Sequence, residues 1–160
     1  MRQKRNARRG MTLTETLVAL LIVSLVSMAV AVGVTSAIQV YHRSVEFSDT
    51  QVLFSTLTQA VTDELRYARD VEVREGTNDV TSFTSMNYGA GCSFASDEKG
   101  QLTVKGRLLV GSGVYSKGAL RAELGPVQRL TNNIYQVELT VTDPKGRELK
   151  KETLAVTALN

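Results

Sequence analysis

The spacing of hydrophobic and polar positions changes twice along this chain. From Leu17 to Val34 the run LVALLIVSLVSMAVAVGV is interrupted only by Ser24, Ser27 and Gly33, and no charge falls between Glu15 and Arg43. As a helix, those 27 intervening residues span about 40 Å at 1.5 Å per residue, more than a bilayer core of about 30 Å requires. A soluble domain rarely hides so long an apolar run. Residues 11–40 are therefore expected to form a transmembrane helix.

From Arg43 to Arg74 the pattern turns amphipathic. Leu53, Leu57, Val61 and Leu65 recur every four residues with Ala60 and Ala68 alongside, and Asp63, Glu64, Arg66 and Arg69 lie off that stripe. This is one face of an α-helix. No Gly or Pro occurs between Val34 and Glu75, and Gly76-Thr77-Asn78 supplies a stop. The reading predicts one helix from about 12 to about 72, roughly 90 Å long. Its second part, 41–75, should lay its stripe on a sheet, and Gly33 is a place for a local bend. The heptads of a coiled coil are not sustained.

From Val80 the spacing shortens to the period of strands, broken by glycines. Candidate strands are Val80–Tyr88, Cys92–Ser96, Gln101–Lys105, Arg107–Val110, Ala119–Leu124, Ile134–Thr142 and Arg147–Thr157. Asp97-Glu98-Lys99-Gly100 and Asp143-Pro144-Lys145-Gly146 read as tight turns. Tyr135, Val137, Leu139 and Val141 alternate with polar residues, so one face of that strand is buried. In the return strand the apolar parity shifts between Leu149 and Leu154, which predicts a bulge near Lys150–Thr153. The Gly-rich stretch 106–118 reads as mainly loop. Residues 76–160 are thus expected to form an antiparallel β head, and the whole chain an α+β fold.

Charge adds orientation. The formal total is +3, yet Arg2, Lys4, Arg5, Arg8 and Arg9 precede the apolar run, leaving −2 for the remainder. A short basic head, rather than a basic folded surface, argues against a nucleic-acid-binding domain. By the positive-inside rule the head stays in the cytoplasm and the part beyond about residue 40 lies outside. With 42% hydrophobic and 22% charged residues in 160, the chain is neither wholly disordered nor too small for a core. A single cysteine, Cys92, excludes an intramolecular disulfide, and one histidine, His42, leaves a Cys/His zinc site without ligands.

Catalytic signals are thin. Ser96-Asp97-Glu98-Lys99 fits S-x-x-K without its companion motifs and reads as a turn. Gly89-Ala90-Gly91-Cys92 has no following Lys-Ser/Thr for a phosphate cradle. Cys92 reads as a small core residue, and His42 as interfacial beside Arg43. Asp97 and Asp143 are acids that a calcium site would use, without EF-hand spacing. The chain is expected to be no enzyme, with no cofactor and no metal.

Three readings of the N-terminus compete. One is a secretory signal peptide cut near Ala29-Val30-Ala31, releasing a soluble domain. Another is an uncleaved signal anchor carrying an external β binding module. The third turns on the junction Arg9-Gly10-Met11-Thr12-Leu13-Thr14-Glu15. There a carboxylate stands at the mouth of an apolar helix, costing roughly 2.5–3.5 kcal/mol at a bilayer centre and less near the interface. Such a residue points to function.

A basic leader, a glycine, then Met-Thr-Leu-Thr-Glu and an unbroken apolar helix resembles the prepilin signal of type IV pilins and type II secretion pseudopilins. The resemblance covers residues 1 to about 38. It implies removal of residues 1–10 by a prepilin peptidase that cuts between Gly10 and Met11 and methylates the Met11 amine. It also implies that Glu15 pairs with the N-terminal amine of a neighbouring subunit during assembly. Met11 departs from the usual Phe, and Glu15-Thr16 departs from the Glu-Tyr of Flp-type pilins.

The implied architecture is pilin-like, a long helix, transmembrane in its first half, packed on an antiparallel sheet. The implied partners are the prepilin peptidase, other pilin or pseudopilin subunits, an assembly platform in the inner or cytoplasmic membrane, and membrane lipid. The implied location is a single-pass membrane precursor, then a surface or periplasmic filament. Such filaments serve secretion, competence, adhesion or motility. Many major pilins of Gram-negative bacteria close the C-terminal region with a disulfide. A lone cysteine favours a minor pilin, a pseudopilin or a Gram-positive system.

Overall fold

The computed structural model describes residues 12–131 and 133–159. The chain divides into two compact units, Met1–Ser44 and Val45–Asn160. One helix, α1, runs from Leu13 to Arg66. In the first unit it is apolar on all sides. Leu17, Leu20, Leu21, Ile22, Val26 and Val30 each keep 53–66% of their surface open. A helix hydrophobic all round needs a non-aqueous surrounding, and this one is long and apolar enough to cross a membrane. Three of its hydroxyls bond to the helix's own backbone. Thr16 Oγ1 donates to the Leu13 carbonyl at 2.7 Å, Ser24 Oγ to Leu21 at 2.8 Å and Thr35 Oγ1 to Val32 at 2.9 Å. The helix continues through Gly33 without interruption.

In the second unit the predicted stripe is the buried face. Leu53, Leu57, Val61, Leu65 and Ala68 are buried, Phe54 joins them and Ala60 is half-buried. The helix ends earlier than the spacing suggested. It stops at Arg66, and Arg69–Val73 forms strand β1. Val71 and Val73 follow a two-residue period, which suits a strand, and Asp70 takes φ 47° in the bulge that opens it.

The later strands are β2 Val80–Ser85, β3 Gly89–Cys92, β4 Phe94–Ser96, β5 Leu102–Val104 and β6 Arg107–Leu108, then β7 Arg121–Leu124, β8 Gln128–Thr131, β9 Ile134–Thr142 and β10 Glu148–Thr157. They form three antiparallel sheets rather than one: β1-β2-β3, β4-β5-β6, and β10-β9-β7 with β8 also on β9. Strands β1 and β8 were not anticipated. The candidate Cys92–Ser96 splits between β3 and β4, and the stretch read as loop contains a 3-10 helix at Ser112–Gly118.

Strand β9 has the expected bounds and burial alternation. Tyr135, Val137, Leu139 and Val141 face the helix stripe within one core that includes Leu154 and Val156 of β10. A satellite cluster joins Ala68, Phe83, Cys92 and Val104. The β10 bulge lies between Glu148 and Lys150, slightly before the place the parity shift indicated.

Two turns share one construction. In Asp97–Gly100 the Asp97 carboxylate accepts the N–H groups of Lys99 and Gln101 at 2.9 and 2.8 Å. In Asp143–Gly146 the Asp143 carboxylate accepts those of Lys145 and Arg147 at 2.9 and 2.8 Å. Gly100 and Gly146 take φ 70° and 83°, which L side chains rarely adopt. At Asp143 the Arg147 N–H first, then the Lys145 N–H and the Arg147 charge, hold the carboxyl below the usual range against a smaller opposing desolvation. Arg147 also pairs with Glu46, tying this hairpin to α1.

The 3-10 helix is anchored by Tyr115, which is fully buried and whose hydroxyl accepts the Leu102 N–H at 2.8 Å. Burial pushes its phenol up, against the lowering effect of the Leu102 bond. Tyr115→Phe would leave that buried N–H unpaired, at an expected cost of about 1–3 kcal/mol. The check is a urea midpoint of the detergent-solubilised chain, which should fall with an unchanged m value. An unchanged midpoint would contradict the assignment of Tyr115 as the anchor.

Candidate processing and assembly site

The candidate site is the mouth of α1. Thr12 precedes the first helical residue and acts as its N-cap. The Thr16 N–H donates to the Thr12 carbonyl at 3.1 Å, and the Glu15 N–H donates to Thr12 Oγ1 at 3.3 Å. The hydroxyl thus satisfies one of the orphan donors of the first turn. Thr12-x-x-Glu15 has the sequence form of a capping box, and a carboxylate in the first turn faces the positive end of the helix dipole. Thr12 was not singled out from the sequence, although the three-residue spacing to Glu15 carries the signal.

Glu15 is exposed on this first turn. Gly10 and Met11, the other two residues singled out, lie outside the described residues. Apolar surface flanks Glu15 on both sides in sequence, with Leu13 and Leu17 82% and 58% exposed. A carboxylate therefore stands on the border between a basic leader without acids and a helix with no further charge up to Arg43.

Residues 5–31 match the family model for the prokaryotic N-terminal methylation motif. The matched segment contains Gly10, Met11, Thr12 and Glu15 together with the first part of the apolar helix. The N-terminus is a type IV pilin-like prepilin signal, and such a signal implies processing by a prepilin peptidase. No curated protein and no solved structure matches the chain.

The other sequence candidates resolve into structural roles. Ser96 Oγ donates to the Ala122 carbonyl at 3.2 Å, tethering β4 to β7. Cys92 is buried and its thiol donates to the Gly89 carbonyl at 3.1 Å. His42 is exposed and edge-on to Tyr41, with ring centroids 6.0 Å apart. Asp97 and Asp143 spend their carboxylates on turn N–H groups, and no three His, Cys, Asp or Glu converge among the described residues.

Glu64 corrects the helical-wheel reading. It was placed off the stripe, yet it is 7% exposed. Its carboxylate accepts Ser85 Oγ at 2.6 Å and Asn87 Nδ2 at 2.8 Å, fastening the end of β2 to the helix. The helix face widens near its C-terminal end because a second sheet packs there, and polar partners on that sheet make the buried acid tolerable.

Proposed function

We propose that this chain is a filament subunit, a minor pilin or pseudopilin, made as a single-pass membrane precursor. Cleavage falls between Gly10 and Met11, and the Met11 amine is methylated. Residues 11–40 then pass from the bilayer into a filament core, and the Val45–Asn160 unit stays on the extracytoplasmic side. The chain is the substrate of an enzyme and a structural part, without catalysis of its own.

The observation that carries this reading is the methylation-motif match at residues 5–31 on a helix that exposes apolar side chains all round. An all-apolar helix is costly in water, and both bilayer and filament core remove it from water. Thr12 and Glu15 supply a ready first turn at the end that the peptidase would release. In assembly Glu15 pairs with the Met11 amine of a neighbouring subunit, since a carboxylate among apolar helices needs an opposite charge.

The test is the sheared surface fraction of cells that express the protein with its peptidase and assembly platform. The processed chain is expected in filaments sedimented from that fraction and labelled by antibody along their length or at their tips. Full retention in the membrane, with filaments made normally and free of the chain, would favour the signal-anchored binding module.

A further inference from the structure

The second unit holds a polar cavity of about 440 Å³ between the Asp97–Gly100 turn, the start of β7 and the 3-10 helix. Glu98, Lys99, Gln101, Ser112 and Arg121 line it, with glycines opening the rest of the wall. Gln101 is 8% exposed, and no described residue hydrogen-bonds its side-chain amide. Among the described residues, none forms an ion pair with the Lys99 amine or the Arg121 guanidinium. Lys99 and Arg121 are exposed and the Gln101 amide has no partner among the described residues, so the cavity offers free hydrogen-bonding groups and positive charge to a ligand.

The walls are fixed. Asp97 sets the turn that presents Lys99 and Gln101. The Ala122 N–H donates to the Gly100 carbonyl at 2.8 Å, holding β7 against that turn. A side chain at Gly100 would meet Arg121 Cβ and Cγ at 2.7 Å, so the Arg121 stem lies flat on the glycine. On the far side Tyr115 pins the 3-10 helix to Leu102. The Asp143–Gly146 turn makes a useful contrast. It has the same construction, but its Arg147 is consumed by Asp143 and Glu46. In the Asp97–Gly100 turn Gln101 stands where Arg147 does, and Lys99 opens to a cavity that Arg121 of β7 also lines.

The volume lies within the range of small-ligand sites and exceeds what one oxyanion fills. Arg121 and Lys99 call for an anion, and Arg presents a planar fork suited to a carboxylate. Glu98 repels anions but accepts hydroxyl donors, and Gln101 and Ser112 both donate and accept. A ligand with one carboxylate and several hydroxyls meets all five side chains. We propose that this cavity binds an acidic sugar, its carboxylate on Arg121 and Lys99 and its hydroxyls on Glu98, Gln101 and Ser112. The site stands independently of whether the chain polymerises.

The full chain in an amine-oxide detergent, which carries neither sugar nor carboxylate, is titrated with glucuronate, glucose and inorganic phosphate by ligand-observed NMR. Glucuronate should bind at least about tenfold tighter than glucose or phosphate, and Arg121→Gln should weaken it by at least about tenfold. Lys99→Gln, an exposed turn residue, should weaken it as well and decides the matter if the Arg121 variant melts early. Equal binding of glucose would show that the cations are idle. Equal or tighter binding of phosphate would reduce the cavity to a simple anion site. Undiminished glucuronate binding by either folded variant would remove the site from this cavity. Any of these three results overturns the proposal.

Discussion

Gly10→Leu is expected to leave the chain at its precursor mass in cells that hold an active prepilin peptidase. The residue before the scissile bond must let catalytic groups come within hydrogen-bond reach of an extended backbone, about 2.6–3.2 Å. A branched side chain there displaces the peptide, and a misplacement of about 1 Å costs on the order of 100-fold in rate. That is a loss of roughly 2.7 kcal/mol in transition-state stabilisation. Pulse labelling followed by mass analysis of the membrane fraction measures it. Gly10→Ala should fall between the two, because one methyl intrudes less. Processing of the Leu variant at the wild-type rate would mean that the cut lies elsewhere.

Glu15→Ala separates cutting from assembly. The variant is expected to be processed and methylated as the parent chain is, yet to vanish from filaments. Glu15 lies four residues after Met11 in sequence, and Thr12 holds the Glu15 N–H in the first turn of α1. Its carboxylate is exposed at the helix mouth, where the proposed pairing needs it. Removing one partner of a buried ion pair costs about 3–5 kcal/mol, or at least about 100-fold in the association of a subunit. Quantitative immunoblots of sheared and membrane fractions read the ratio. Glu15→Gln keeps the shape and loses the charge, so it should fail nearly as badly. Normal incorporation of both variants would contradict the pairing role and favour a simple anchor.

The sequence was most legible where one pattern dominates. The apolar run, the Leu53–Leu57–Val61–Leu65 stripe, β9 and the two Asp-initiated turns each carry a strong local signal, and each is found in place. The end of α1 was misread because absence of Gly and Pro does not by itself prolong a helix. The alternation of Val71 and Val73, and pairing with β2, decide that segment instead. The short strands β1 and β8 depend on partners distant in sequence, which local spacing cannot show. Glu64 was hidden for the same reason, since its burial follows from Ser85 and Asn87 on another element. At the candidate site, Glu15 was readable as a charge out of place, whereas the Thr12 cap needed attention to a three-residue spacing. The cavity beside Gln101 was not legible, because it is assembled from a turn, a strand and a 3-10 helix that meet only in the fold.

The account rests on where the mature chain begins. Intact mass with N-terminal sequencing of the membrane-extracted protein, with and without the prepilin peptidase, tests that most directly. The account predicts a chain starting at Met11 and carrying one added methyl group, which disappears when the peptidase is absent. A start at Met1 in the presence of an active peptidase, or a start near Val32, would contradict it.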